Sequence, residues 1–221
     1  MIKLSLSNIR ARIARQAFHS FKKVAGSLLR SAGNNNIRTP DGILFAVTPR
    51  MHPVDCYGLH AGLYEQDEIS VLKRLFKPEA GAIVEIGANI GFISHYAFAN
   101  MLCDGGQYIA IEPNPYAIAT LKENMRRVQS TYPGKTHKII EAAVNGKSDQ
   151  EAPFVVRPTL CSGLAKHIKA SGQEITLHVK TIKLSDVLAR LGPKPVSLIC
   201  DAEGADDLPP IYVPEGSRIF G

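Results

Sequence analysis

Two carboxylates in this chain, Glu85 and Glu112, each close a short apolar run. Ala82-Ile83-Val84 precedes the first and Tyr108-Ile109-Ala110-Ile111 the second. Gly87 and Gly91 follow Glu85, and then an apolar stretch with Phe92, Ile93, Tyr96, Ala97 and Phe98. That order reads as strand, tight turn, helix. Gly87 permits an unrestricted φ in the turn, and Gly91 lets the helix start sit close to a strand or a ligand. The helix N-terminus is expected to offer N–H groups to a ligand's polar atoms. A carboxylate at the strand tip repels a pyrophosphate but suits an ammonium or hydroxyl groups. Glu112 at a second tip suits paired hydrogen bonds to the 2′- and 3′-hydroxyls of a ribose.

The spacing narrows the ligand. In a right-handed βαβ unit the two strands are neighbours, so both carboxylates reach the crevice where open α/β sheets bind ligands. A nucleoside with a cationic end fits this pair better than a dinucleotide does. Gly87-Ala88-Asn89-Ile90-Gly91 is GxxxG rather than the GxGxxG of NAD sites, and the chain has no GxxxxGK[ST] phosphate loop. A third acidic group, Asp201 with Glu203, follows the apolar run Val196–Cys200. At a strand tip, such a carboxylate can take a proton from a weak nucleophile or cap the next helix.

The elements that must position these groups alternate. Expected strands are 82–86, 108–111, 138–140 and 196–200, with helices over 68–76, from Gly91 to about Leu102, from Pro115 past Met125, and over 184–191. Asn114-Pro115 is a helix start, an N-cap acceptor followed by proline at the first helical position. Asp104-Gly105-Gly106 reads as a turn. Strands alternating with helices predict a doubly wound, mostly parallel α/β sheet. Residues 152–182 change character: Phe154-Val155-Val156 and Ile175–Ile182 look like strands of a β insertion. Ile43–Val47 reads as a strand of a small hairpin after Asp41-Gly42.

The 221 residues suit one domain with an appendage, divided here as 1–36, a basic helix and linker, and 37–221, the α/β domain. Net charge is +6, unevenly spread. Residues 1–40 carry eight Lys/Arg and no Asp or Glu, and the remainder is close to neutral, so a general nucleic-acid surface is not indicated. Over 5–30, Leu6, Ile9, Ile13, Phe18, Phe21, Val24 and Leu28 recur at helical spacing. Such a basic amphipathic helix either lies on a membrane surface or packs on the body through its apolar stripe, and packing is the commoner use. Cys56, Cys103, Cys161 and Cys200 lack CxxC spacing, which suits reduced thiols in the cytoplasm and no structural zinc. The seven histidines show no metal-ligand spacing, although His167 in the insertion could face a ligand. No apolar run reaches the roughly 20 residues of a membrane span.

Taken together, Val84–Gly91 (VEIGANIG), Ile111-Glu112-Pro113-Asn114-Pro115 with Leu121 and Asn124, and Cys200-Asp201-Ala202-Glu203-Gly204-Ala205 resemble the FkbM-type methyltransferase family, within the class I S-adenosylmethionine-dependent enzymes. Tyr64-Glu65 with Glu68-Ile69 is similar to the family's lead-in. The resemblance spans about residues 40–206. It implies a Rossmann-like sheet and S-adenosylmethionine as cofactor, with O-methylation of a hydroxyl on a sugar, polyketide or other small molecule. By position, Glu85, Gly87, Asn89 and Gly91 would hold the methionine part of the cofactor, Glu112 its ribose, and Ala142 and Ala143 would border the adenine. Asp201 and Glu203 would sit beside the reacting methyl group.

Two features depart from the family pattern. Lysine usually stands two positions before the Asp, where this chain has Ile199. After Gly204, Pro209-Pro210 and Pro214 leave little room for the helices and strands that complete the sheet. The expectation is a sheet incomplete on its C-terminal side, with strand 196–200 as a bare apolar edge open to self-association. The cofactor site would form while the acceptor site stays unfinished, leaving the chain inactive alone. A non-catalytic cofactor-binding or membrane-associated module is the alternative, and an NAD-dependent oxidoreductase a more distant one.

Overall fold

The computed structural model describes residues 6–75, 80–157, 162–164, 174–192, 195–201 and 218–220. The chain divides into two compact units, Met1–Gln66 and Asp67–Gly221.

In the first unit, helix α1 (Leu6–Ala32) lies against α2 (Pro53–Ala61). Contact centres on Gly26, where a Cβ would fall 1.6 Å from the Pro53 carbonyl oxygen; only glycine lets the two backbones approach so closely. Arg30 fixes the following loop by donating to the Pro49 and Met51 carbonyls, each at 2.8 Å. Asn34 and Asn35 turn the chain with positive φ, a conformation asparagine tolerates, and strands β1 (Asn36–Arg38) and β2 (Leu44–Ala46) form the expected antiparallel hairpin. Helix α2 was not foreseen from periodicity. Its signals are local: His52 caps it by accepting from the Val54 N–H at 3.2 Å, Pro53 occupies the first turn, and Gly62 (φ 68°) closes it.

The second unit opens with α3 (Gln66–Leu75) and carries a five-stranded, wholly parallel sheet. Its strands are β3 (Ala80–Ile86), β4 (Leu102–Ile111), β5 (Thr136–Ile140), β10 (Ser197–Cys200) and β11 (Arg218–Phe220), in the order β11-β10-β3-β4-β5. Helices α4 (Phe92–Asn100), α5 (Pro115–Thr131) and α6 (Leu184–Ala189) link or flank these strands. Side chains alternate across the sheet, as the strand pleat requires. Ile83, Tyr108, Ala110 and Ile199 pack with α3, α4 and α5. Val84, Ile86, Ile109, Ile111 and Leu198 pack on the other face with Leu184, Val187 and Leu188 of α6. Both faces are covered, as a parallel sheet demands.

The β insertion is a separate four-stranded sheet, ordered β6 (Ala143–Val144), β9 (Ile175–Ile182), β7 (Glu151–Val156), β8 (Ser162–Leu164). Two expectations are corrected. Asp104-Gly105-Gly106 does not separate a helix from a later strand; it lies within β4 as an irregularity in the β3–β4 register, with Gly105 at φ 76°. The edge of β10 is also not bare. Ser197, Leu198 and Ile199 pair in parallel with Arg218, Ile219 and Phe220 of β11. The prolines at 209, 210 and 214, on which the expectation of an unfinished sheet rested, lie outside the described residues.

A buried cation closes α4. Lys135 is nearly inaccessible, and its Nζ donates to the Phe98 and Ala99 carbonyls at 2.9 Å each, in the last turn, where helix carbonyls lack partners and the dipole favours positive charge. Replacing Lys135 with Met should lower unfolding free energy by about 1–3 kcal/mol. Urea denaturation reads this directly, and an unchanged midpoint would show that water takes over the role of the ammonium.

Candidate active site

The parallel sheet brings the chemistry-bearing residues to one edge. Cys200, Ile86, Ile111 and Ile140 stand in a single register row across β10, β3, β4 and β5. Asp201, Gly87, Glu112 and Glu141 therefore emerge side by side at the C-terminal ends of the strands. The ladder continues one residue past that row: Asp201 N–H donates to the Ile86 carbonyl (2.9 Å), Gly87 N–H to Ile111 (2.9 Å) and Glu112 N–H to Ile140 (3.0 Å).

Glu112 is the junction of this edge. It is buried, and its two oxygens accept from the backbone N–H groups of Asn89 and Asn114, each at 2.7 Å. One carboxylate thus ties the β3–α4 turn to the start of α5. Burial pushes its pKa up to about 7, with the Asn114 and Asn89 amides pulling the other way. A carboxylate has about four acceptor positions, so two remain on Glu112 for a ligand.

The glycine-containing turn is held from several sides. Gly87 and Gly91 both have φ 86° and Asn89 has φ 50°. A Cβ on Gly91 would come within 2.7 Å of the Leu121 side chain, so glycine there sets how closely α4 meets α5. Asn124, buried on α5, donates to the Ile90 carbonyl at 2.8 Å. The N–H groups of Gly87, Ala88, Asn89 and Gly91 are all engaged within the protein. Asn89 instead contributes an acceptor: its side-chain oxygen is buried and has no hydrogen-bond partner. An orphaned acceptor is costly unless a donor reaches it.

Glu85 is not in the crevice. At 1% exposure it turns under α4, where it accepts from the Ser94 hydroxyl and from the Tyr108 hydroxyl (2.8 Å). Burial raises its pKa to about 7 against those two hydrogen bonds, and the Asp201 and Glu112 charges push the same way as burial. Its neighbour across the sheet is Ile199, the position where the family pattern has lysine. Ala142 and Ala143 part ways. Ala142 lines a cleft of about 740 Å³ formed by Pro113, Pro115, the end of β5 and β9. Ala143 is turned by the strand alternation into an apolar cluster with Phe154, Val156 and Val179. Asp201 is exposed at the end of β10, while Glu203 and His167 lie outside the described residues.

Reasoning from sequence missed Ser94 and Tyr108, the partners of Glu85. The available signal was a serine on the packed face of an apolar helix and a tyrosine amid Ile and Ala in a central strand. Among the described residues no cluster of His, Cys, Asp and Glu could hold a metal ion, and no helix is long and apolar enough to cross a membrane.

The family model of the methyltransferase FkbM domain matches residues 85–206, more than half of the chain and all of this edge. The chain belongs to the FkbM methyltransferase family. Among solved structures, it matches the Pyrococcus horikoshii protein PH0793, described as a transferase, at 17% identity over 41% of this chain and 44% of that one (TM-score 0.27). It also matches P. horikoshii TYW2, solved in complex with MeSAdo, at 15% identity over 54% and 52% (TM-score 0.30). This FkbM chain spans about half the length of those two proteins. No curated protein matches it significantly.

The buried Glu85 yields a pH test. Its folded pKa lies above the ordinary 4.5, so the stability it contributes is fully present below about 4.5 and is lost as pH rises through about 7. Glu85→Gln, which keeps an acceptor for Ser94 and Tyr108 without a charge, should melt above the wild type at about pH 8 and lose that advantage toward about pH 5. Thermal denaturation at the two pH values decides it; a difference independent of pH would sink the assignment.

Proposed function

We propose that this FkbM-family chain binds S-adenosylmethionine at the C-terminal edge of its parallel sheet and methylates a hydroxyl of a sugar, polyketide or other small molecule. The observation that carries the reading is Glu112. It sits at the strand end next to the glycine-containing turn, with its carboxylate held by two backbone amides and two acceptor positions left over. The residues present fit the cofactor. Glu112 would accept from the ribose hydroxyls, and the orphaned side-chain oxygen of Asn89 would accept from a donor such as the ammonium. Gly87 and Gly91 keep the turn compact enough for close approach, and Ala142 with Pro113 would border the adenine in the cleft.

S-adenosylmethionine supplies an electrophilic methyl group on a sulfonium, open to in-line displacement by oxygen. The protein's task is to align the acceptor and to remove its proton as the C–O bond forms. Asp201, exposed at the end of β10, is the proposed proton acceptor; Glu203, two residues on, is the second candidate for orienting the hydroxyl. The proton leaves with the carboxylate, and the neutral thioether is the leaving group, so charge balances. Glu85 acts only by positioning: it links β3, β4 and α4 beneath the turn.

Calorimetry with S-adenosylhomocysteine tests the reading, and no binding at millimolar ligand would refute it. Hydroxyls donate to the ionised form of Glu112, so affinity should rise with pH through about 7. Glu112→Ala should weaken binding by about 1–3 kcal/mol, and equal affinity would remove the ribose assignment. With an accepted hydroxyl substrate, Asp201→Asn should lower kcat by about 10²–10⁴ while leaving S-adenosylhomocysteine affinity unchanged. A wild-type kcat in that variant would exclude Asp201 as the base.

A further inference from the structure

Helix α1 packs on α2 through one face and turns a different, apolar face outward. Phe18, Phe21, Val24 and Leu28 are 53%, 57%, 62% and 65% exposed. Successive helix residues advance by about 100°, so these four fall within an arc about 120° wide. Gly26, pressed against the Pro53 carbonyl, lies about 140° from the centre of that arc. Phe21, at the centre of the arc, reaches the Tyr57 ring of α2 edge-on with 5.8 Å between centroids, so the part of the stripe turned from the packing is Phe18, Val24 and Leu28. Lys22 borders the stripe, with its Nζ 4.4 Å from the centre of the Phe18 ring, and Arg15 and Lys23 are exposed on the same helix. Residues 1–40 hold eight basic side chains and no acidic one.

We infer that α1 is a membrane-surface helix, lying in the headgroup plane of an anionic bilayer with Phe18, Val24 and Leu28 dipped into the acyl boundary. Charge selects this occupant. A second copy would set cationic helices against each other, whereas an anionic lipid surface neutralises them and takes up the aromatic and aliphatic side chains together. The inference goes beyond methyl transfer and stands on this unit alone.

Flotation of the full chain with phosphatidylcholine–phosphatidylglycerol vesicles, against phosphatidylcholine alone, tests it. The chain should float with the anionic vesicles and stay in solution with the neutral ones, and added salt should reduce binding. Replacing Phe18, Val24 and Leu28 together by Ser should weaken binding about tenfold or more, with an unchanged melting temperature because all three are exposed. Arg15→Glu with Lys23→Glu should abolish the preference for anionic lipid. No flotation with anionic vesicles, or flotation that survives the serine substitutions, overturns the proposal. A self-associated chain that the serine substitutions return to monomer, without vesicle binding, also overturns it and assigns the face to a second copy.

Discussion

Much of the site's geometry depends on one carboxylate that holds two loops. Glu112 takes the Asn89 amide on one oxygen and the Asn114 amide on the other, and so joins the turn after β3 to the helix start after β4. The turn Gly87-Ala88-Asn89-Ile90-Gly91 buries Ile90 and Ala88, and the Glu112 bond adds a directional tie at Asn89 that packing does not supply. A charged acceptor is the economical solution: hydrogen bonds to a carboxylate are stronger than those to a neutral oxygen. The same bonds leave acceptor positions on Glu112 for a ligand. Asn114 adds a second link, since its side chain caps α5 at the Tyr116 N–H while its own amide is held by Glu112.

Beneath this clamp sits a second carboxylate with a different role. Glu85 and Glu112 lie on adjacent strands two residues out of step: Glu85 is opposite Ala110 inside the sheet, whereas Glu112 is level with Gly87 just past its end, and so they meet different surroundings. Glu85 shares the face of Ile83, Tyr108 and Ile199. A lysine in place of Ile199 would stand one strand spacing from Glu85 and could neutralise it. This chain instead buries the carboxylate beside an apolar neighbour, which favours the protonated acid, while the Ser94 and Tyr108 hydroxyls donate to it and pull the other way. Burial is the largest cause of the raised pKa, and its consequence is for stability near neutral pH.

The parts of this architecture legible in the sequence were those with strong local signals. The β3–α4 turn follows from its glycines, the α5 start from Asn114-Pro115, and the mostly parallel α/β sheet from the alternation of elements. What escaped the sequence depends on partners far along the chain. The burial of Glu85 is decided by Tyr108 from the next strand. The length of β4 through Asp104-Gly105-Gly106 is decided by pairing with β3, which overrides turn propensity. The paired edge of β10 needs β11, whose three residues carry no periodicity of their own. Helix α1 shows the same limit differently: its apolar stripe is visible in the sequence, but only Gly26 against Pro53 reveals that the closest backbone approach falls on a different face.

Strand order also fixes how a ligand must run along the edge. Neighbouring strands are about 4.8 Å apart, so Glu112 on β4 and Asp201 on β10, with β3 between them, are separated by about 10 Å along the sheet edge. The middle position is the turn of β3, where side chains are smallest. A ligand held at one end by Glu112 must pass the turn of β3 before it reaches Asp201. The cleft beside Pro113 and Ala142 lies on the opposite flank of Glu112, toward β5. The edge therefore presents, in order, a cleft lined by Pro113 and Ala142, the buried carboxylate of Glu112, the glycine-containing turn and the exposed carboxylate of Asp201, and the proposed ligand and base assignments rest on that order.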